Sequence, residues 1–295
     1  MKILKITVGI PAFNEEENIG AIIIKLKKIV DTVIVCDDGS TDMTNEISKK
    51  MGALVIEHKE NLGYGSSIKS IFEKAKEMDS DILVTFDGDG QHNIDDVKKI
   101  VQPILEMNAD IVIGSRFLNK DKNVPKYRKL GIKTITKLTN VALEKKLSDS
   151  QSGFRAYNKK AINEINPKDS GMGISTEILI KANSKKLEIV EIPITILYNG
   201  NTSTHHPVSH GASVVFSTMK FVSIEHPLKF YGISGLVFLI IGSFFSAWTF
   251  QIYAETQKII TNITLIGIGC MVIGTILLVT SIILFSIVHL MREKN

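Results

Sequence analysis

The sequence predicts an α/β protein: an open, mostly parallel sheet, followed by a helix along a membrane surface and two membrane-crossing helices. Three observations carry this expectation. Short apolar runs alternate with stretches of helical periodicity up to residue 118, and polar turns follow those runs. The tail then holds two long charge-free stretches, Tyr231–Phe250 and Ile263–Val288. The expected division is a soluble α/β domain over 1–207, an amphipathic juxtamembrane segment over 208–229, a two-helix hairpin over 230–290 and a tail over 291–295.

Lys5–Ile10 reads as a buried strand and Pro11–Asn14 as the turn after it. Asn14 suits an N-cap, and Glu15–Glu17 suit the positive end of a helix. Ile19, Ile22, Ile23, Leu26 and Ile29 then recur at helical spacing. Thr32–Cys36 is a second strand, ending at Asp37, Asp38 and Gly39. The alternation continues with a helix near 43–51, a strand over 53–57, a helix near 66–77, a strand over 82–86, a helix over 93–106 and a strand over 110–114. Such alternation argues a parallel sheet with crossover helices. Beyond it, a basic helix is expected over Tyr127–Leu147 and a polar segment containing Gly153 over Ser148–Tyr157. A helix near Ser175–Lys181 leads into Leu187–Ile196, whose Pro193 fits an edge strand.

Val208, Ala212, Val215, Met219 and Val222 share one helical stripe, flanked by Phe216 and Phe221. This suits a helix on a membrane surface, or one packed on the soluble domain. His226-Pro227-Leu228-Lys229 breaks the pattern. Tyr231–Phe250 is long enough to cross the hydrocarbon core, Ile263–Val288 can cross with tilt, and Gln251, Glu255, Gln257 and Lys258 mark the link between them. Lys220 and Lys229 precede the hairpin and Arg292 and Lys294 follow it, so the soluble domain and the C-terminus are expected in the cytoplasm. Met1–Ile10 leads straight into a polar turn without the form of a secretory signal, which fits the same side.

The 295 residues carry a formal net charge of +4, too small to argue for nucleic acid. Its distribution says more. Lys120, Lys122, Lys126, Arg128, Lys129, Lys133 and Lys137 fall in a stretch whose one acid is Asp121. That is a solvated face or, beside a membrane, a surface for anionic headgroups or a lipid phosphate. Cys36 and Cys270 form no metal-binding spacing, and a disulfide is not expected.

Asp87-Gly88-Asp89 follows the apolar run Ile82–Phe86. Two carboxylates two residues apart at a strand end can approach one hard cation, and Mg²⁺ accepts water and phosphate oxygens for the rest of its shell. Gly88 lets the turn come close to a ligand. Alone such a pair is more often a surface turn; Gln91 and the preceding strand favour the site. Asp37-Asp38-Gly39-Ser40 could accept hydrogen bonds from a ribose hydroxyl or a base N–H, or could cap a helix with Thr41, Asp42 and Thr44. Glu15 shares that ambiguity. Gly63 and Gly65 around Tyr64 suggest close backbone approach without the Gly-Lys-Ser/Thr of a nucleoside-triphosphate loop, and no Gly-x-Gly-x-x-Gly follows the first strand.

Pro11-Ala-Phe-Asn-Glu15, Asp37-Asp-Gly-Ser40, Asp87-Gly-Asp-Gly-Gln91, Gly114-Ser-Arg-Phe117 and Gln151-Ser-Gly-Phe-Arg-Ala-Tyr157 resemble, in order, the motifs of inverting GT-A glycosyltransferases. More narrowly they resemble the dolichyl- and undecaprenyl-phosphate mannose/glucose synthase group. The resemblance covers essentially the whole chain. It implies a GT-A nucleotide-sugar-binding domain using Mg²⁺ or Mn²⁺. Pro11, Phe13, Glu15, Asp37 and Asp38 would line the nucleotide pocket. Asp89 and Gln91 would meet the metal, with Gly88 near the donor and Asp87 near the donor or sharing the metal through water. Asp89, Arg116 and Asp149 would be the catalytic set, Arg116 orienting the transferring or accepting phosphate. Arg128 and Thr134 would contact the lipid phosphate, Gln151 and Arg155 would shape the acceptor side, and Ser203-Thr204-His205 would lie near the donor. Gly200–His206 departs from relatives in lacking an Arg or Lys, which removes the argument for phosphate binding there. Gln151–Phe154 looks more like the glucose-type branch than the mannose-type.

The implied partners are a nucleotide sugar (UDP-hexose or GDP-mannose), polyprenyl or dolichyl phosphate and a lipid bilayer, with a homo-oligomer left open and nucleic acid not expected. A phosphate monoester has its second pKa near 6 and is already a nucleophile at neutral pH. Asp149 is therefore a positioning residue before it is a base. Competing readings are a glycosyltransferase for another membrane lipid, a polysaccharide synthase, for which two spans are few, and a nonenzymatic nucleotide-sugar-binding membrane protein.

Overall fold

The computed structural model describes residues 4–118, 126–143, 145–195 and 207–293. The chain divides into two compact units, Met1–Thr218 and Met219–Asn295.

In the first unit β1 (Ile6–Ala12) is central, paired in parallel with β2 (Thr32–Asp37) and β4 (Ile82–Thr85). β3 (Leu54–Glu57) extends the sheet beyond β2, and β5 (Ile111–Ser115) pairs in parallel with β7 (Ile189–Pro193). Between β4 and β5 lies β6 (Arg155–Asn158), antiparallel to both, so the seven-stranded order is β3-β2-β1-β4-β6-β5-β7. β7 is the edge expected from Pro193. β6 was not foreseen; the sequence places a polar connection there.

Helices cover both faces, as a parallel sheet requires. On one side α1 (Ile19–Leu26) and α4 (Asp96–Leu105) bury Ile19, Ile23, Leu26, Ile100 and Val101 against Val8, Ile10 and Val84. On the other, α3 (Tyr64–Glu77) and α7 (Ile174–Ser184) bury Ile68, Ile71, Phe72 and Leu179 against Ile34, Leu83 and Ile111. Gly9 makes the α3 contact possible, because a Cβ there would stand 2.2 Å from Ile71 Cγ2. The remaining helices are α2 (Thr44–Lys50), α5 (Lys126–Ala142), α6 (Lys159–Glu164) and α8 (Pro207–Glu225).

Three local expectations are corrected. Asn14 does not cap α1; it sits at φ 56°, and its Oδ1 accepts from the Thr41 amide at 2.9 Å. Glu15–Glu17 consequently precede the helix, which starts at Ile19. α5 ends at Ala142 rather than Leu147, because Asn140 closes the chain on itself with hydrogen bonds to Leu147 N and O at 3.0 and 2.9 Å. The first unit includes part of α8, where Thr218 is fully buried with its hydroxyl 3.2 Å from that of Thr176.

In the second unit a π turn, Leu228–Gly232, leads into α9 (Ile233–Thr256), and Gln257, at φ 54°, ends it before α10 (Thr261–Glu293). Leu228–Thr256 and Thr261–Leu290 are long and apolar enough to cross a membrane, and only 11% of each apolar window is buried, unlike core helices of a soluble domain. α9 runs past Phe250 and takes in Gln251 and Glu255, and α10 extends beyond Ile263–Val288 at both ends. They meet through small residues. A Cβ on Gly242 would lie 2.9 Å from Met271 N, and one on Gly274 would lie 2.8 Å from Gly235 O.

Candidate functional site

The register brings the C-terminal ends of β1, β2, β4 and β5 to one edge: Ala12 is opposite Asp37, and Gly9 is opposite Thr85. Because β6 runs the other way, its first residue, Arg155, stands opposite Thr85 and Ile113. The segment entering β6 therefore lies at the same edge.

The first two loops are stitched together. The amides of Asn14, Glu15 and Glu16 donate to Ser40 Oγ, Thr44 Oγ1 and Asp42 Oδ2 at 2.9, 2.8 and 3.1 Å. Pro11, Phe13 and Glu15 are half-buried on this wall, whereas Asp37 and Asp38 are 4% and 3% exposed. Asp37 accepts from Ser40 N and Asn45 Nδ2. Asp38 accepts from the amides of Leu62 and Gly63 at 3.1 and 2.8 Å and lies 2.6 Å from His58 Nδ1. The Asp38 carboxylate holds the loop before α3. The glycines around Tyr64 likewise make room for protein, since a Cβ on Gly65 would stand 2.4 Å from Asp169 O. Cys36, His58 and Asp38 form a chain that mimics a nucleophile triad, with Cys36 Sγ 3.6 Å from His58 Nε2. Burial pushes the Cys36 thiol up to about 12, so it is no nucleophile.

Asp87 lies at the centre of the edge. His92 Nε2 is 2.9 Å from its Oδ2, the Tyr64 hydroxyl bonds to the same carboxylate, and a Cβ on Gly153 would lie 2.7 Å from its Oδ1. Burial works to raise the Asp87 carboxyl, but the His92 hydrogen bond and charge, then Arg116 and Tyr64, outweigh it and hold the carboxyl below its ordinary value. Burial and the Asp87 charge together push the Tyr64 hydroxyl well above its usual range. His92 is itself buried between Phe86 and Phe154, with ring centroids 5.5 and 5.1 Å away, and its Nδ1 makes no hydrogen bond among the described residues. Neither His92 nor the Tyr64 ring figured among the expected site residues. The signal for His92 was its place directly after Gln91.

Gly88 packs against the first loop, where a Cβ would be 3.4 Å from Pro11 O and 3.6 Å from Glu15 Cγ. Asp89 Oδ1 accepts the Gln91 amide at 3.0 Å. Burial raises the Glu15 carboxyl, opposed by the Asn18 amide and reinforced by the charges of Asp89, Asp42 and Asp87. The cluster is thus electrostatically crowded, which a cation would relieve. Among the described residues no three His, Cys, Asp or Glu side chains converge to hold a metal alone. The donor set fits a cation that takes part of its shell from diphosphate and water.

Across the cleft, Arg116 grips Asp149 in two parallel bonds, Nε to Oδ2 at 2.6 Å and Nη2 to Oδ1 at 2.7 Å, and its amide reaches Oδ2 at 3.2 Å. Asp149 is fully buried. Gln151 Nε2 donates to Ser150 Oγ and Thr176 Oγ1 at 3.1 and 3.2 Å. Arg155 opens β6 at this edge. It is 1% exposed and donates to the carbonyls of Ser152, Ser175 and Ser150 at 2.8, 2.9 and 2.7 Å. Thr134 is exposed on α5, its hydroxyl donating to Leu130 O. The side chain of Arg128 and residues Ser203–His205 lie outside the described residues.

Residues 7–165 match the sequence profile of Glycosyl transferase family 2. The chain belongs to that family. It is 34% identical to UDP-N-acetylglucosamine–dolichyl-phosphate N-acetylglucosaminyltransferase of Methanococcus voltae, over 70% of this chain and 89% of that protein. It is 29% identical to dolichyl-phosphate hexose transferase of Haloferax volcanii, over 74% and 93% respectively. Glucosyl-3-phosphoglycerate synthase from Mycobacterium tuberculosis, crystallised with Mn²⁺, UDP-glucose and phosphoglyceric acid, superposes with a TM-score of 0.59 at 21% identity, over 75% of this chain and 80% of that one. At that identity the likeness shows the fold alone, and the fold is GT-A. This family 2 enzyme is a glycosyltransferase.

Proposed function

We propose that the enzyme transfers a hexose from a nucleotide sugar to dolichyl or another polyprenyl phosphate, inverting the anomeric carbon, with Mg²⁺ or Mn²⁺ bound at Asp89 and Gln91. The observation that carries the reading is the single sheet edge where the Asp87–Asp89 turn faces the Arg116–Asp149 pair, in a chain ending in two helices fit to span a bilayer. The likeness to the dolichyl-phosphate transferases of Methanococcus voltae and Haloferax volcanii supports the lipid-phosphate acceptor.

Pro11, Phe13, Glu15 and Asp37 line the nucleotide pocket in this reading, and Asp38 shapes it. Asp89 and Gln91 would hold the divalent cation, which would supply neutralisation of the charge growing on the nucleoside diphosphate leaving group. Asp87, fixed by His92 and Tyr64, orients the donor beside Gly88. Arg116, held rigid by Asp149, faces the acceptor phosphate; Gln151, Arg128 and Thr134 complete that side. Asp149 spends both oxygens on Arg116 and acts by positioning. The acceptor phosphate, ionised at neutral pH, attacks the anomeric carbon directly and needs no protein base. Residues 1–207 supply the catalytic residues, 208–229 lie along the bilayer, 230–290 span it and 291–295 return to the cytoplasm, where the catalytic part also sits.

Incubating purified enzyme with polyprenyl phosphate and separate UDP- and GDP-sugars, then identifying the lipid by mass and its anomer by NMR, tests this. A β-linked sugar phosphate from an α-linked donor is expected. Retention of configuration rejects single displacement, and transfer only to a lipid lacking phosphate rejects the acceptor.

A further inference from the structure

Glu191 lies on β7, the edge strand of the sheet, where a carboxylate would ordinarily point into water. Its side chain turns inward to the site loop instead. Oε2 accepts the Ser148 amide at 2.8 Å; Oε1 accepts the Asp149 amide at 2.9 Å and the Ser148 hydroxyl at 3.1 Å. Two consecutive backbone amides and a hydroxyl thus converge on one carboxylate. Ser148 Oγ is also 2.7 Å from Ser115 Oγ, which accepts the Phe117 amide at 3.1 Å. The two residues flanking Arg116 are therefore tied to the same point that holds Asp149.

We infer that Glu191 is a positioning residue for transfer: it fixes the Ser148–Asp149 backbone, so that the Asp149 carboxylate meets Arg116 in its two-bond geometry and aims the guanidinium at the acceptor phosphate. The inference rests on the reading of Arg116 and Asp149 given above. Its physical basis is the directionality of the bonds. Asp149 is fully buried and both its oxygens serve Arg116, so its side chain has no slack to absorb a backbone shift. A charged acceptor shared by adjacent amides holds that backbone more firmly than neutral groups would. Gln at this position keeps the size but replaces one acceptor oxygen with a donor NH₂. One of the three donors would then face another donor.

A merely structural Glu191 would alter folding and leave acceptor handling unchanged. A double-mutant cycle on the full-length enzyme in detergent separates the two. Glu191→Gln should lower kcat/KM for polyprenyl phosphate by about tenfold while KM for the nucleotide sugar stays within about twofold. In an Asp149→Asn background the same change should cost less than about twofold, because residues acting through one another are not additive. Ser148→Ala, which removes only the hydroxyl, should give an intermediate loss of about threefold with donor KM again unmoved; it serves as the test should Glu191→Gln fold poorly. If Asp149→Asn is costly and Glu191→Gln multiplies in full upon it, the inference falls and the site reading stands. If neither Asp149→Asn nor Arg116→Lys slows transfer, both fall together. A Ser148→Ala enzyme with unchanged acceptor kinetics would likewise overturn the inference.

Discussion

Arg155→Met should unfold the sheet's centre more readily without touching acceptor recognition. The guanidinium is 1% exposed and makes three bonds, to the carbonyls of Ser150, Ser152 and Ser175. Hydrogen bonds from a charged donor contribute about 1.5–3 kcal/mol each, and methionine leaves those carbonyls without that donor. Removing a buried cation recovers part of its desolvation cost, so the net loss is about 3–5 kcal/mol. For a unit of this size that is a fall in Tm of about 6–20 °C. Cys36 is a built-in reporter, fully buried in β2. With Cys270→Ala silencing the other thiol, a thiol-reactive dye labels Cys36 only as the sheet opens. Arg155→Lys should fall between, since one ammonium cannot span three carbonyls. An Arg155→Met enzyme with unchanged Tm and a raised KM for lipid phosphate would return Arg155 to the acceptor side and refute the argument.

Asp89→Asn should lower turnover at least about tenfold with the Cys36 labelling profile unchanged, and wild-type activity undiminished in excess EDTA would defeat the metal-dependent mechanism. Glu15→Gln should be more stable than wild type near neutral pH, measured without divalent cation. Burial, joined by Asp89, Asp42 and Asp87, raises the Glu15 carboxyl, so the native state binds the proton more tightly than the unfolded chain; the cost of ionising it is full above the raised pKa and vanishes as pH falls below the ordinary 4.5. A stability gap that widens on acidification contradicts this. Truncation after Ile224 keeps the Thr176–Thr218 contact and should leave nucleotide binding intact, while removing resistance to carbonate extraction. Loss of nucleotide binding in that variant would make the tail part of the fold.

The parallel half of the fold was legible because each strand is a run of apolar residues bounded by polar turns. Asp87–Asp89 and Arg116 were placed by the same reasoning, as residues that follow strand ends. β6 was hidden because Arg155-Ala-Tyr-Asn158 has polar residues at both ends and no apolar run. A buried arginine reads from sequence as a surface or ligand-binding residue, and only the three carbonyls around it reverse that. His92 was passed over for a related reason: its environment, two aromatic rings and the Asp87 carboxylate, is assembled from the turn after β4 and the segment before β6. The end of α5 depended on the Asn140 side chain choosing Leu147 backbone, a local competition that helical periodicity does not register.

The antiparallel strand is what joins the two halves of the site. In a wholly parallel sheet, the segment entering a strand lies at the N-terminal edge, away from the loops that gather ligands. Reversing β6 carries the entering segment to the opposite edge, so that Gly153 presses against Asp87 and Asp149 meets Arg116. Arg155, the first residue of that strand, then fastens the entering segment by Ser150 and Ser152 and the start of α7 by Ser175. Asp87 and the Arg116–Asp149 pair thus share one sheet edge because a single strand runs backwards. The buried arginine at its head holds the segment before β6 in place through backbone carbonyls.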